Sequence, residues 1–120
     1  MLAEIKEKKS QIDSRSMDEL GTLLKAMAHP TRLWILQFLA EQDCCISGEI
    51  ADELPFARST ISEHLRLLKE AGLIQGEIEH PRIKYCINKS TWERAKSLLD
   101  LLFSQQFVSE EVKQCNSQKF

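Results

Sequence analysis

The sequence predicts an α+β fold, mostly helical, in which a helix-turn-helix is followed by a short β-hairpin and flanked by long helices. Two observations predict it. Residues 46–73 hold a short apolar segment, a break at Leu54-Pro55 and a second, amphipathic segment with helical spacing. After Gly72 the apolar period changes from 3.6 to 2, which is the pattern of strands. This arrangement is a winged helix-turn-helix.

Length and composition indicate one ordinary domain. The chain has 120 residues, of which 42% are hydrophobic and 28% charged. No apolar run is long enough for a membrane span, and residues 1–10 are rich in Lys and Glu, unlike a secretory or transit peptide. We therefore expect a cytoplasmic protein with no membrane partner. Its expected parts are a flexible N-terminal arm (1–16), the winged domain (17–108) and a polar C-terminal tail (109–120).

The charge balance excludes a protein that coats nucleic acid through bulk positive charge. The net charge is −2 and the isoelectric point is near 5.9. The cations are nevertheless concentrated locally, in residues 56–69 and 80–89. Binding of a specific DNA site therefore remains compatible with the composition.

Two helices are expected before the helix-turn-helix. The first covers residues 18–28, with Ser16 and Glu19 at the separation of a capping box. The second covers residues 31–41 after Pro30, whose missing N–H suits a first helical turn. Because the second helix is apolar on most of its circumference, we expect it to be central.

The helix-turn-helix itself begins after Cys44-Cys45-Ile46, a short β-compatible segment. Ser47 is expected to cap a helix over residues 48–54. In the second helix, Ile61, Leu65 and Leu68 form one buried stripe. Away from that stripe lie side chains that can bond to bases or phosphates, and the candidate DNA contacts here are Arg58, Ser59, Thr60, Ser62, Glu63, His64, Arg66 and Lys69. For His64, which borders the stripe, a half-buried structural role competes with DNA contact.

The β-hairpin, or wing, follows a helix stop at Gly72, the natural left-handed residue. His80-Pro81 forms its tip. Arg82 and Lys84 lie just beyond the tip, where contact with phosphates or the minor groove is favoured over simple solvation.

A last helix begins after Asn88 and carries more apolar residues than a small core can cover. The wide stripe comprises Trp92, Ala95, Leu98, Leu99, Leu102, Phe103 and either Gln106 or Phe107. Excess apolar surface of this kind marks an interface. We expect a homodimer through the first and last helices, which would place two recognition helices about one DNA turn apart.

The four cysteines are the remaining chemistry. In a reducing compartment they are expected to be free thiols or soft-ligand donors, and adjacent Cys44 and Cys45 are poor disulfide partners. If the strand around Cys45 pairs with the second wing strand, with Ile46, Tyr85 and Ile87 inward, Cys45 and Cys86 point outward.

The metal candidates are therefore Cys44, Cys45 and Cys86, and Cys115 in the tail either joins them or is idle. As(III) and Sb(III) prefer several thiolates, so they are the inducers this set would bind, and no cofactor is otherwise required. The alternatives are a thiol that senses oxidation or persulfide, and cysteines that are merely structural. No catalytic constellation is visible, so an enzyme is not expected.

The element order and three stretches of sequence resemble the ArsR/SmtB family of winged-helix transcriptional repressors. The stretches are His29-Pro30-Thr31-Arg32, residues 59–74 and Tyr85-Cys86-Ile87. The resemblance implies a dimer that binds an inverted-repeat operator and is released when an inducer shifts it between two conformations.

Four departures from the family pattern narrow these expectations. Ala57 replaces the usual hydroxyl that caps the recognition helix, so Ser59 or Thr60 must take that role, and Glu63 stands where Gln, Arg or Lys is common. Ser47 and Gly48 occupy positions where arsenic sensors often have cysteines. The last helix has Asp100 but no histidine, so the zinc pattern is absent.

The function predicted from the sequence is a DNA-binding repressor released from its operator by a thiol-binding metalloid such as As(III). One alternative is an ArsR-type regulator that uses no metal and responds to thiol oxidation or persulfide. The other is a winged-helix module that binds protein instead of DNA.

Overall fold

A computed structural model of the chain describes residues 12–79 and 82–107 and confirms the winged helix-turn-helix. In chain order its elements are α1 (Ser14–Met27), α2 (Pro30–Gln42), β1 (Cys44–Ile46), α3 (Ser47–Asp52), α4 (Arg58–Glu70), β2 (Ile74–Glu79), β3 (Arg82–Ile87) and α5 (Lys89–Phe103). Helices α3 and α4 form the helix-turn-helix, and β2 and β3 form the wing.

The core lies where α2 and α4 pack together and against the sheet. The predicted stripe of α4 is confirmed, since Ile61, Leu65 and Leu68 are buried. Helix α2 buries Ile35, Leu36 and Leu39 against them, as its central position requires. Burying each such side chain contributes roughly 1.5–3 kcal/mol, so this contact is what fixes the orientation of α4.

The sheet has the strand order β1-β3-β2, with both neighbouring pairs antiparallel. Its middle strand β3 buries Tyr85 and Ile87, as expected. Gly76 lies directly opposite Tyr85, and a Cβ atom at Gly76 would come within 3.1 Å of the tyrosine ring. The absence of a side chain at Gly76 therefore leaves space for the ring. Burial of this ring raises the pKa of the Tyr85 phenol.

The ends of three helices show what the sequence pattern located well and what it did not. Helix α1 begins at Ser14 instead of after Ser16, because Asp13 is the cap and its carboxylate accepts a hydrogen bond from the Ser16 N–H at 2.7 Å. The expected start was therefore wrong. Helix α3 begins at Ser47 itself and ends at Asp52, two residues before the expected end. Asn88 caps α5 as expected.

Helix α4 ends in the way the sequence predicted. Gly72 has a φ of +85°. Its N–H donates to the Lys69 carbonyl at 2.9 Å, and the Leu73 N–H donates to the Leu68 carbonyl at 3.1 Å. These two bonds form a Schellman motif, in which Leu73 returns to the core and directs the chain into β2.

Candidate nucleic-acid interface and thiol pair

The first turn of α4 is open to solvent. Ala57 is its N-cap residue and provides no side-chain hydrogen bond. Ser59 and Thr60 are exposed, and within the described ranges neither forms the bond that was expected to replace the cap. The first backbone N–H groups of α4 therefore remain available to an external acceptor, and phosphate oxygens are suited to a helix N-terminus.

Arg58 extends from this turn over α3. Its Nη2 lies 3.3 Å from Asp52 Oδ1, and both side chains are about 70% exposed. A Cβ atom on Gly48 would lie 3.3 Å from Arg58 Nη1, so the guanidinium group rests on the first helix of the motif. An ion pair this exposed is weak, and a phosphate can replace its carboxylate at little cost.

Further along the exposed face, two carboxylates hold Arg66. Glu63 accepts hydrogen bonds from Arg66 Nε at 3.0 Å and from Nη2 at 2.5 Å, and Glu70 accepts a third from Nη1. The hydrogen bonds from Arg66 lower the pKa of Glu63, while Glu63 is the main cause that raises the pKa of Arg66. Arg66 is thus oriented but partly neutralised, and it must exchange a carboxylate for any phosphate that it binds.

His64 faces inward, towards α2. Its Nδ1 accepts a hydrogen bond from Arg32 Nε at 3.1 Å, and its ring lies 4.6 Å from that of His29. The side chain is half-buried, as one of the two predicted roles required. Desolvation, His29 and Arg32 lower the pKa of His64, in that order, against a smaller opposing effect of Glu63. Direct DNA contact by His64 stays a prediction.

The wing adds cations on β3. Arg82 is exposed, and Lys84 is half-buried with its Nζ 3.8 Å from the exposed Glu77 carboxylate on β2. Glu77 therefore moderates the charge of the wing. The tip, His80-Pro81, lies outside the described residues.

The thiols are arranged differently from the expectation. Cys44 on β1 and Cys86 on β3 are directly opposite in the register, with their Cα atoms 4.3 Å apart, and they form a disulfide. The expectation of free thiols was wrong for this pair. Cys86 had been placed near β1, and that part of the prediction is confirmed.

Cys45 was predicted to point outward, and this was wrong. It lies opposite Tyr85, shares the inner face of the sheet with it and is 7% exposed, and its Sγ donates to Glu49 Oε1 at 3.4 Å. Side chains alternate along a strand, so a shift of one residue in the pairing of β1 with β3 moves each side chain of β1 to the opposite face of the sheet. Cys44 and Cys86 therefore share the outer face, and Cys45 lies on the other.

This geometry does not assemble the predicted three-sulfur set. The sulfurs of Cys44 and Cys86 meet, while that of Cys45 faces the core. Within residues 12–79 and 82–107, no three His, Cys, Asp or Glu side chains are grouped so as to hold a metal ion. Cys115 lies outside the described residues.

Sequence reasoning missed Arg32, His29 and Asp52 as neighbours of the candidate interface. Arg32 and His29 lie in the stretch that carried the family resemblance, but no spacing rule pairs them with His64, which lies 32 positions after Arg32. The ion pair of Asp52 with Arg58 could not be predicted from helical spacing, because the turn between α3 and α4 separates the two residues.

The model of the family described as "Bacterial regulatory protein, arsR family" matches residues 29–75, from the start of α2 into β2. An uncharacterized HTH-type transcriptional regulator of Methanocaldococcus jannaschii, MJ1325, is 40% identical over 62 residues, which are 52% of this chain and 70% of that protein. The chain belongs to the ArsR family of transcriptional regulators.

Two further proteins show the extent of the likeness. The transcriptional repressor SmtB of Mycobacterium tuberculosis is 36% identical over 69 residues, covering 58% of this chain but only half of SmtB. A solution structure from Mycobacterium bovis, of the homodimeric winged helix-turn-helix DNA-binding domain Mb0332, superimposes with a TM-score of 0.61 at 25% identity, covering 83% of this chain and 94% of that one. In the described part of this ArsR-family chain, no helix has the length and apolarity needed to cross a membrane.

Proposed function

We propose that this chain is a homodimeric transcriptional repressor that binds an inverted-repeat DNA operator with α4 in the major groove. The observation that carries the proposal is the division of α4 into two faces. Ile61, Leu65 and Leu68 fix the helix in the core. Its outer face presents hydroxyls, cations and unsatisfied backbone donors over one continuous surface.

The roles of the outer residues follow from their chemistry. Arg58 and Lys69 lie at the two ends of α4, where cations can meet phosphates on either side of the groove. Ser59 and Ser62 are exposed between them, and their hydroxyls can bond to base edges, whereas the Glu63 carboxylate holds Arg66 and repels phosphate. Arg82 and Lys84 of the wing contact the phosphate backbone of the DNA beside the recognition helix.

The dimer is proposed from the apolar surface of α1 and α5. The exposed large apolar side chains on or just after these helices are Met17, Leu24, Leu101, Leu102, Phe103 and Phe107. Beside them, a groove of about 380 Å³ is lined by Met27, Trp92 and Leu99. A second copy of the chain would cover this surface, as the homodimeric state of Mb0332 supports.

The test is selection of bound duplexes from a random DNA library by the purified full chain. We expect an inverted repeat with half-site centres about 10 base pairs apart or a multiple of this, and affinity that falls steeply with salt. The control is the same duplex with one half-site scrambled. No measurable binding at low salt would reject the proposal and leave the protein-interaction module.

The Cys44–Cys86 disulfide favours a thiol response as the regulatory part of this function. β1 leads directly into α3, and β3 belongs to the wing, so the sulfur–sulfur bond joins the two parts of the DNA-reading unit. Oxidation by a low-molecular-weight disulfide would transfer two electrons from the two thiols, giving the protein disulfide and two molecules of small thiol. We propose that operator affinity differs between these two states.

Release by As(III) or Sb(III) is the competing proposal. In the reduced protein, Cys44 and Cys86 would offer two thiolates on one face of the sheet, and the soft metalloid prefers such ligands. A third sulfur would have to come from outside the pair, because Cys45 faces the core.

A side-by-side titration of the operator complex separates these proposals. As(III), Sb(III), Zn(II) and a disulfide oxidant are added to the reduced wild-type chain, Cys44→Ser and Cys45→Ala. We expect Cys44→Ser to abolish the response to the oxidant and Cys45→Ala to retain it. A response to As(III) that both variants retain would reject the sulfur pair as the inducer site.

A further inference from the structure

Arg32, in the first turn of α2, joins two other helices. Its Nη1 donates to the carbonyl oxygen of Ala26 in the last turn of α1 at 2.9 Å, and its Nε donates to Nδ1 of His64 in α4 at 3.1 Å. One rigid, planar guanidinium group therefore fixes the distance between the end of α1 and the middle of α4.

The bond to α1 provides a donor for one carbonyl in the last turn of that helix. Of the final carbonyls of α1, Lys25 accepts from the Ala28 N–H at 3.4 Å and Met27 accepts from the His29 N–H at 2.7 Å. Arg32 provides the donor for Ala26, which lies between them. A cation at this position is also favoured by the negative end of the helix dipole.

The bond to α4 requires a particular state of His64. Because Nδ1 accepts the hydrogen from Arg32, the imidazole ring must be neutral and carry its proton on Nε2. The charged or titratable groups around it are Arg32 on α2, His29 at the N-cap of α2 and Glu63 on α4 itself. Protonation at Nδ1 would remove the acceptor and place a second cation beside Arg32.

We infer that Arg32 is a positioning residue for the recognition helix, which it holds only while His64 is neutral. The inference rests on the DNA-binding function proposed above and adds a pair of hydrogen bonds that determines the orientation of α4 relative to α1. Since α1 is also part of the proposed dimer surface, the link through Ala26 and His64 ties each recognition helix to the dimer axis. When His64 gains a proton, the link opens and the two recognition helices lose their fixed spacing.

The first test does not depend on DNA. In the full chain labelled with ¹⁵N, imidazole nitrogen shifts report which nitrogen of His64 carries the proton. We expect Nε2–H with unprotonated Nδ1 at pH 7.5 and titration below the ordinary value of 6.5. Arg32→Lys has one ammonium group in place of the guanidinium group that bonds both Ala26 and His64. In this variant we expect Nδ1 of His64 to stop accepting a fixed hydrogen bond, and we expect the pKa of His64 to change.

The second test measures affinity for the inverted-repeat duplex that the wild-type chain recovers from the random library. Between pH 7.5 and pH 5.5 we expect wild-type affinity to fall by about 3- to 30-fold, the size typical of coupling between distant elements. His64→Gln, which keeps an uncharged side chain, should bind without this pH dependence. Arg32→Lys should bind more weakly than the wild type at pH 7.5.

Arg94→Lys is the matched control, because Arg94 also bridges two helices with more than one bond. Its Nη2 donates to Glu19 Oε1 and to Ser16 Oγ of α1, each at 3.0 Å. We expect this variant to keep the wild-type pH profile and the His64 tautomer. Thermal unfolding of each variant separates a repositioned helix from a lost fold.

The outcomes distinguish the inference from the function on which it rests. If the wild type binds no duplex at any pH, the DNA-binding proposal fails, and the role of Arg32 in reading DNA fails with it. If the wild type binds but Arg32→Lys and His64→Gln keep its affinity and pH profile, only the inference is overturned. A proton on Nδ1 of His64 at pH 7.5 also overturns it.

Discussion

Helix α4 and the place where β1 pairs with β3 both belong to the winged helix-turn-helix, but different kinds of interaction hold their functional groups. On α4, a buried apolar stripe anchors the helix, and its polar groups form exposed ion pairs that exchange easily. Where β1 pairs with β3, a covalent bond joins Cys44 to Cys86. Reversible, exposed contacts suit the reading of DNA, whereas a bond that changes only by chemistry suits its regulation.

The largest effect should come from the two faces of α4. Ile61→Ala removes a buried side chain and should lower the free energy of unfolding by about 2–5 kcal/mol, whereas the adjacent Ser62→Ala should change it by less than about 0.5 kcal/mol. Urea denaturation of both variants measures the difference. Similar losses from the two substitutions would contradict the assigned faces.

Reduction should have the next largest effect on stability. The disulfide joins residues 42 apart, so its removal should lower the free energy of unfolding by about 2–4 kcal/mol. The measurement is urea denaturation with and without a reductant. Cys44→Ser should show no response to the reductant, and a response equal to that of the wild type would place the disulfide elsewhere.

Restoring a cap to α4 should have a smaller effect of opposite sign. Ala57 makes no side-chain cap bond, so Ala57→Ser should raise the free energy of unfolding by about 0.5–2 kcal/mol. Ala57→Val, which adds bulk without an acceptor, is the control. If serine stabilises no more than valine, the first turn of α4 is already satisfied in solution.

The smallest effect is expected from Glu63→Gln. The substitution removes a carboxylate that holds Arg66 and repels phosphate, so affinity for duplex DNA should rise by about 2- to 5-fold. Glu53→Gln, on the exposed segment after α3, is the control for charge alone. Weaker binding by Glu63→Gln would instead show that its carboxylate contacts a base.

The same contrast explains what could be predicted from the sequence. The stripe of Ile61, Leu65 and Leu68 spans two helical turns, so several residues agree on which face is buried. The fold class and the turn at Gly72 likewise rest on more than one signal.

The three-residue strand β1 offers no such redundancy. With Cys44-Cys45-Ile46 alone, the choice of inward residue depends on a single register, and an error of one residue placed Cys45 on the wrong face. The Arg32–His64 bond was out of reach for a related reason, since it joins two helices at a distance in sequence that no local period spans.

The central claim, that the exposed face of α4 meets DNA, is tested most directly by the salt dependence of duplex binding. Affinities of the wild type, Arg58→Ala and Arg15→Ala for the selected inverted repeat are measured by fluorescence anisotropy across a range of salt concentrations. Losing the Arg58 contact should reduce the slope of log affinity against log salt by about 1 per protomer, while Arg15→Ala, on α1, leaves it unchanged. An unchanged slope and affinity for Arg58→Ala would contradict the docking of α4 proposed for this ArsR-family chain.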